Sequence, residues 1–124
     1  MDDIPGALRT IVPVGAPIDL AGEQLADFVT SRDETLRGLS LTMPLKKSVL
    51  PLLDWSSELV SQTGSANTVL FDEGVVRGYN SDVYGITEAF GRHSRPALGT
   101  VVILGAGATA ASALVAARLL GATK

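Results

Sequence analysis

Thr100-Val101-Val102-Ile103-Leu104-Gly105-Ala106-Gly107-Ala108-Thr109-Ala110 is the stretch that decides the fold class. An apolar, largely β-branched run meets a turn of glycine and alanine, and an alanine-rich segment then runs to Leu120 before Gly121. That order predicts strand, tight turn and helix over 100–120, the unit from which alternating α/β sheets are built. The turn also carries chemistry, as Gly105-x-Gly107-x-x-Ala110. Gly105 permits a sharp turn, Gly107 lets the backbone approach a pyrophosphate, and Ala110 keeps the helix close to the sheet with its N-terminus facing negative charge. Small residues at these positions also serve close packing alone, but the strand before and the helix after favour the phosphate reading. A ribose-reading residue is expected roughly 20 residues beyond such a turn. That position lies past Lys124, so the turn itself does not separate NAD from NADP.

Upstream, Thr68 to Phe71 and Val75 to Tyr79 are two apolar runs joined by Asp72-Glu73-Gly74, the composition of a hairpin with glycine in the left-handed position. Leu36 to Leu41 reads as a buried strand whose C-terminal end leads into Thr42-Met43-Pro44-Leu45-Lys46. Loops leaving that end of parallel strands are where open α/β sheets bind ligands. Leu20 to Val29 forms a modest amphipathic helix, with Leu25, Phe28 and Val29 on one face. Lys46 to Leu53 is helical in part and bends near Pro51, Trp55 to Val60 adds a turn or two of helix, and Thr63-Gly64-Ser65 breaks it. A helix over Val83 to Phe90 follows Asn80-Ser81-Asp82, residue types that satisfy the free amides of a helix start. Ile11 to Val14 is a short strand ended by Gly15 and Pro17, and Gly91 to Gly99 is a polar connection that marks a domain boundary.

Composition bounds the chemistry. The 124 residues, 46% hydrophobic and 19% charged, suffice for one globular domain. A net charge of -3 offers no basic face for nucleic acid. No cysteine is present and His93 is the single histidine, so thiol chemistry and a histidine or thiolate metal centre are not expected. Asp2 and Asp3 stand where a secretory signal would carry positive charge, and glycines interrupt the apolar stretch from Val101 to Leu120. A cytoplasmic protein without a membrane span is the expectation.

Four short constellations remain: Thr42 to Lys46, Ser65-Ala66-Asn67-Thr68 entering the hairpin, Gly78 to Gly85 leaving it, and the glycine turn. Taken singly, Lys46 reads as a solubilising surface lysine, as Lys47 beside it does, Asn67 as a turn residue and Asp82 as a helix-start carboxylate. The alternative is that Lys46 presents a cation or proton donor at the sheet edge, with Thr42 offering a hydroxyl. A hairpin would bring Asn67 and the 80–82 segment toward the same end.

In this order and spacing the four segments resemble the shikimate dehydrogenase family. That family carries Thr-x-Pro-x-Lys, an Asn-Thr step entering a hairpin, Asn-Thr-Asp-x-x-Gly after it and a glycine turn opening an NADP domain. Here these are Thr42 to Lys46, Asn67-Thr68, Asn80-Ser81-Asp82 to Gly85, and Gly105 to Ala110. The resemblance covers about residues 36–121, and more weakly 11–35. It implies an α/β, three-layer substrate-binding domain with a parallel sheet and a hairpin, followed by the start of a Rossmann domain. Residues 1–90 would be an incomplete substrate domain ending in a linking helix, 91–99 the connection, and 100–124 the first strand, turn and helix of the cofactor domain.

The same resemblance assigns roles. Lys46 would be the catalytic lysine and Asp82 its paired carboxylate. Thr42, Lys46, Asn67 and Asp82 would bind shikimate or 3-dehydroshikimate, and Gly105, Ala106, Gly107 and Ala108 would approach the NADP pyrophosphate. The implied activity is the NADP-dependent interconversion of those two compounds in the chorismate pathway. A quinate/shikimate dehydrogenase and a non-catalytic binding module are the alternatives. Ser81 stands where the family usually has threonine, and Ala108 where glycine is frequent. The family's serine-bearing opening segment has only an echo in Gly15-Ala16-Pro17-Ile18, since Asp19-Leu20-Ala21-Gly22 follows and Thr42 comes 27 positions after Gly15. Residues 11–35 are therefore read as the second strand and helix of the substrate domain, and the 124-residue chain alone is expected to lack dehydrogenase activity.

Overall fold

In a computed structural model, residues 17–93 and 97–124 of the chain are described. The strand expected at Ile11 to Val14 lies outside them, as does the middle of the Gly91 to Gly99 connection. A 3-10 turn at Gly22–Gln24 leads into α1 (Leu25–Thr30), which buries Leu25 and Val29 and half-buries Phe28, as the apolar spacing requires. Strand β1 (Gly38–Ser40) precedes α2 (Leu45–Ser48), and a 3-10 turn at Leu50–Leu52 holds Pro51, where the bend was expected. Trp55 and Ser56 are not helical but form β2 (Trp55–Ser56). Ser57 takes extended dihedrals and its Oγ accepts from Val60 N at 3.4 Å, so helix α3 (Glu58–Thr63) starts only after it. Strands β3 (Thr68–Asp72) and β4 (Val75–Tyr79) form the hairpin, followed by α4 (Asp82–Gly91) and α5 (Ala108–Leu119).

The two hairpin loop residues both have positive φ, Glu73 at 49° and Gly74 at 82°. That backbone matches the right-handed twist of the flanking strands, and a glycine at the second position relieves it.

The sheet is mixed rather than wholly parallel, in the order β1-β3-β4-β2. Strand β3 runs antiparallel to both β1 and β4, whereas β2 pairs parallel with β4. Strands β1, β2 and β4 consequently point the same way, with β3 reversed among them. This places the C-terminal ends of β1 and β4 and the N-terminal end of β3 on a single sheet edge, where Ser40 lies opposite Thr68 and Thr68 opposite Tyr79. Two backbone bonds continue the ladder past these ends, from Leu41 N to Asn67 O at 2.7 Å and from Asn67 N to Tyr79 O at 3.1 Å. Every candidate substrate residue lies in a segment leaving or entering that edge.

The larger core gathers Leu25 and Val29 of α1, Leu45 of α2, Val49, Val60 of α3, and Val69, Phe71 and Val76 of the sheet. A second cluster joins Leu59 of α3 to Val83 of α4 and Ala116 of α5. Adjacent residues on α3 thus serve both clusters, because they point about 100° apart around the helix axis.

Thr100 to Leu104, expected as a strand, forms no ladder along its length. Val102 and Leu104 are 80% and 95% exposed, and a strand exists only against partners. Its first residues do begin a pairing: Lys124 N donates to Gly99 O at 3.3 Å and Val101 N to Lys124 O at 2.8 Å, the slanted exchange of a parallel pair. Among the described residues, no helix is long and apolar enough to cross a membrane.

Candidate functional site

The sheet edge assembles a polar cluster from residues 36 positions apart. Lys46, on α2, donates from Nζ to Asp82 Oδ2 at 2.7 Å. The side chains are 14% and 26% exposed, so the pair is sheltered yet open to a small molecule. Asn67 Nδ2 donates to the other carboxylate oxygen, Oδ1, at 2.8 Å and to Ser81 Oγ at 2.8 Å. Its Oδ1 accepts from Ser81 N at 2.9 Å and Thr68 Oγ1 at 3.1 Å, which fixes the plane of the amide. Serine at 81 keeps the hydroxyl that this arrangement uses. Lys46 is also fixed through its backbone, as Ala66 N donates to Lys46 O at 2.9 Å.

Asp82 does not cap its own helix. That work falls to Asn80, whose Oδ1 accepts from Asp82 N at 3.0 Å and Val83 N at 3.2 Å, leaving the Asp82 carboxylate free to face Lys46 and Asn67. Asn80 is fully buried, and its Nδ2 donates to Thr63 Oγ1 at 3.0 Å and Ser112 Oγ at 3.1 Å. Sequence reading placed Asn80 at the helix start but missed this second set of bonds. The visible signal was Ser112, a hydroxyl one helical turn inside the alanine-rich α5.

A cleft of about 610 Å³ opens beside the cluster. Thr42, Pro44 and Lys46 line one wall, and Gly105, Gly107 and Ala108 another. The Met43–Pro44 peptide is cis. Thr42 and Lys47 are both exposed and both border the cleft, whereas Lys46 is half-buried. Ala106 is exposed and does not belong to the lining, so of the four turn residues three face the cleft. Gly105 has φ 129°, a conformation for glycine, and space for a further atom is open at both Gly105 and Gly107. Gly107 then starts α5, whose first amides receive no side-chain cap. Together these groups offer a proton-carrying ammonium, a carboxylate and amide for hydroxyls, and unpaired backbone donors for an anion.

The family model described as the shikimate dehydrogenase substrate binding domain matches residues 13–69. Shikimate dehydrogenase (NADP(+)) of Ignicoccus hospitalis is 35% identical over 101 residues, 82% of this chain and 38% of that protein. The crystal structure of shikimate 5-dehydrogenase from Thermus thermophilus in complex with shikimate superposes with a TM-score of 0.78 at 35% identity, covering 85% of this chain and 40% of that one. The ligand-free 5-ketofructose reductase of a Gluconobacter strain superposes with a TM-score of 0.70 at 34% identity, over 85% of this chain and 38% of that one. The chain therefore spans about two fifths of the length of the proteins it matches.

Proposed function

The chain belongs to the shikimate dehydrogenase family, and on that premise we propose that its cleft takes shikimate and 3-dehydroshikimate for their NADP-linked interconversion. The observation that carries this reading is the Lys46–Asp82 pair at 2.7 Å, bonded to Asn67 and set so that Lys46 faces a glycine turn across one cleft. We assign residues 1–90 to the substrate side, 91–99 to the connection and 100–124 to the cofactor side.

The turn fits a dinucleotide pyrophosphate, because its wall is open where side chains would stand and its helix start has free donors. Gly105, Gly107 and Ala108 would hold it, while Ala106 shapes the turn. When bound, the nicotinamide exchanges a hydride with the ring carbon that carries the hydroxyl or ketone.

The remaining chemistry belongs to this chain's side chains. During reduction Lys46 donates a proton from Nζ to the ketone oxygen as it becomes a hydroxyl, and in oxidation Lys46 receives it. Asp82 orients the ammonium through Oδ2, and each of its oxygens retains a lone pair for a ring hydroxyl. Asn67 fixes the direction of Oδ1, and Thr42 supplies a hydroxyl at the rim. A polyol that lacks a matching hydroxyl leaves these sheltered groups unpaired, which disfavours its binding.

Calorimetric titration of the 124-residue chain with shikimate, quinate and 5-ketofructose tests the reading. Shikimate binds most tightly, and Asp82→Asn weakens it about ten-fold or more, the loss expected for a charge-assisted hydrogen bond. Binding of 5-ketofructose alone, or equal shikimate affinity in Asp82→Asn, would sink the assignment.

A further inference from the structure

Asn80 and Ser112 join the two walls of the cleft by an unbroken run of bonds. Ala108 O, at the end of the glycine turn, accepts from Ser112 Oγ at 3.2 Å. Ser112 Oγ accepts from Asn80 Nδ2 at 3.1 Å, and Asn80 Oδ1 accepts from Asp82 N at 3.0 Å. Asp82 Oδ2 then meets Lys46 Nζ at 2.7 Å. Asn80 and Ser112 are both 0% exposed.

Burial sets what this run can do. A buried amide must satisfy both its donor and acceptor ends, so Asn80 has one permitted orientation, and rotating it would misplace bonds on both sides together. Its donor end also reaches Thr63 and Ser65 of the α3 exit, so the amide is held from three elements. Helices α4 and α5 pack directly on one another through Val83 and Ala116, which leaves the Asn80–Ser112 bond inside a closed junction rather than at a wet surface.

We infer that Asn80 is a positioning residue: through Ser112 it sets the start of α4, and with it the Asp82 carboxylate, in register with the glycine turn. This rests on the proposed function for the meaning of Asp82, but its geometry does not. Two consequences follow. Removing the Ser112 hydroxyl loosens the start of α4 without touching Lys46, Asn67 or the Asp82 carboxylate, and frees only the backbone oxygen of Ala108 on the cleft's other wall. Occupancy of the turn and of the Lys46–Asp82 pair are energetically coupled, and equally in both directions.

The test uses Ser112→Ala in the 124-residue chain, with amide exchange and NMR signals read without ligand. Exchange at Asp82 and Val83 speeds up about five-fold, the local cost of one buried hydrogen bond, and the Asp82 carboxyl and Lys46 Nζ signals move. Amides and methyl signals around Leu25 and Val69 stay in place. A purely structural role for Ser112 would lower the unfolding temperature while leaving the Asp82 and Lys46 signals where they were, and that result overturns the inference. Asn80→Ala supplies the second arm: adding Ser112→Ala to it has no further effect on those signals if the two residues act as one unit, and an additive effect contradicts it. Shikimate titration of Ser112→Ala is a separate readout, with affinity falling about five-fold. If the unmodified chain binds no shikimate, the substrate assignment fails while the ligand-free signals still decide the role of Asn80.

Discussion

Replacing Gly38 by alanine tests whether the sheet edge that carries the site is as tightly built as its geometry implies. A Cβ at Gly38 would lie 2.5 Å from the backbone oxygen of Val69, where ordinary contact begins at 3.4 Å. The neighbour is a carbonyl inside the β1–β3 ladder, so no side chain can rotate away. β1 must move by several tenths of an ångström, straining the bonds from Phe71 N to Arg37 O at 2.9 Å and from Leu41 N to Asn67 O at 2.7 Å. Forced overpacking of this kind costs about 1–3 kcal/mol. Against it, alanine restricts the unfolded chain and returns about 0.4–1 kcal/mol. The net expectation is a loss of about 1.5 kcal/mol, or roughly 6 °C in Tm for a chain of this size. Gly85 is the control, since it is helical and nothing lies within 4 Å of its Cβ position. Gly85→Ala should stabilise by about 0.5–1 kcal/mol through helix propensity alone. Urea unfolding followed by Trp55 fluorescence measures both variants. Gly38→Ala equal to or more stable than the unmodified chain would refute the reasoning.

Leu25→Ala removes a side chain that is 1% exposed from the main cluster, and a loss of about 3 kcal/mol is expected in the same unfolding assay; a loss below about 1 kcal/mol would mean that α1 does not pack as described. Asp33 is held below the ordinary carboxylate range by the hydroxyl and then the amide of Thr35. Its folded-state pKa is depressed, so its contribution to stability is present above the unfolded value and is lost as pH falls through the folded one. Thr35→Val removes the larger of these two bonds, and the Asp33 carboxyl titration should move upward; an unmoved midpoint contradicts the cause given.

Much of the fold is written in local pattern. The Glu73-Gly74 turn, the spacing of Leu25 and Val29 on α1 and the Ala-rich run of α5 each specify their own geometry from neighbouring residues. Strand order is different, because periodicity in Leu36 to Leu41 cannot reveal that β1 lies antiparallel to β3 rather than beside a parallel neighbour. Trp55 and Ser56 carry no helix-breaking residue, and only pairing with Arg77 and Gly78 makes them a strand. Thr100 to Leu104 shows the converse: its β-branched composition is that of a buried strand, yet where no ladder runs along it Val102 and Leu104 stay exposed.

The site was legible to a similar depth. Lys46, Asn67 and Asp82 belong to short motifs whose residue types suggest chemistry, and the hairpin alone brings Asn67 and the 80–82 segment toward the same end. What joins them to Lys46 is the direction of β1, and what orients Asp82 is the buried amide of Asn80. Neither is visible in spacing, since burial and the partner on α5 arise only once the helices pack.

The most direct test of the central claim is a shikimate titration of the isotope-labelled chain followed by NMR at each residue. Shifts are expected centred on Thr42, Lys46, Asn67 and Asp82, abolished by Lys46→Ala, with the Asn80 side-chain amide retained. Shifts centred instead on the separate cleft of about 430 Å³ around Arg32 and Phe71, or none at saturating shikimate, would contradict the claim.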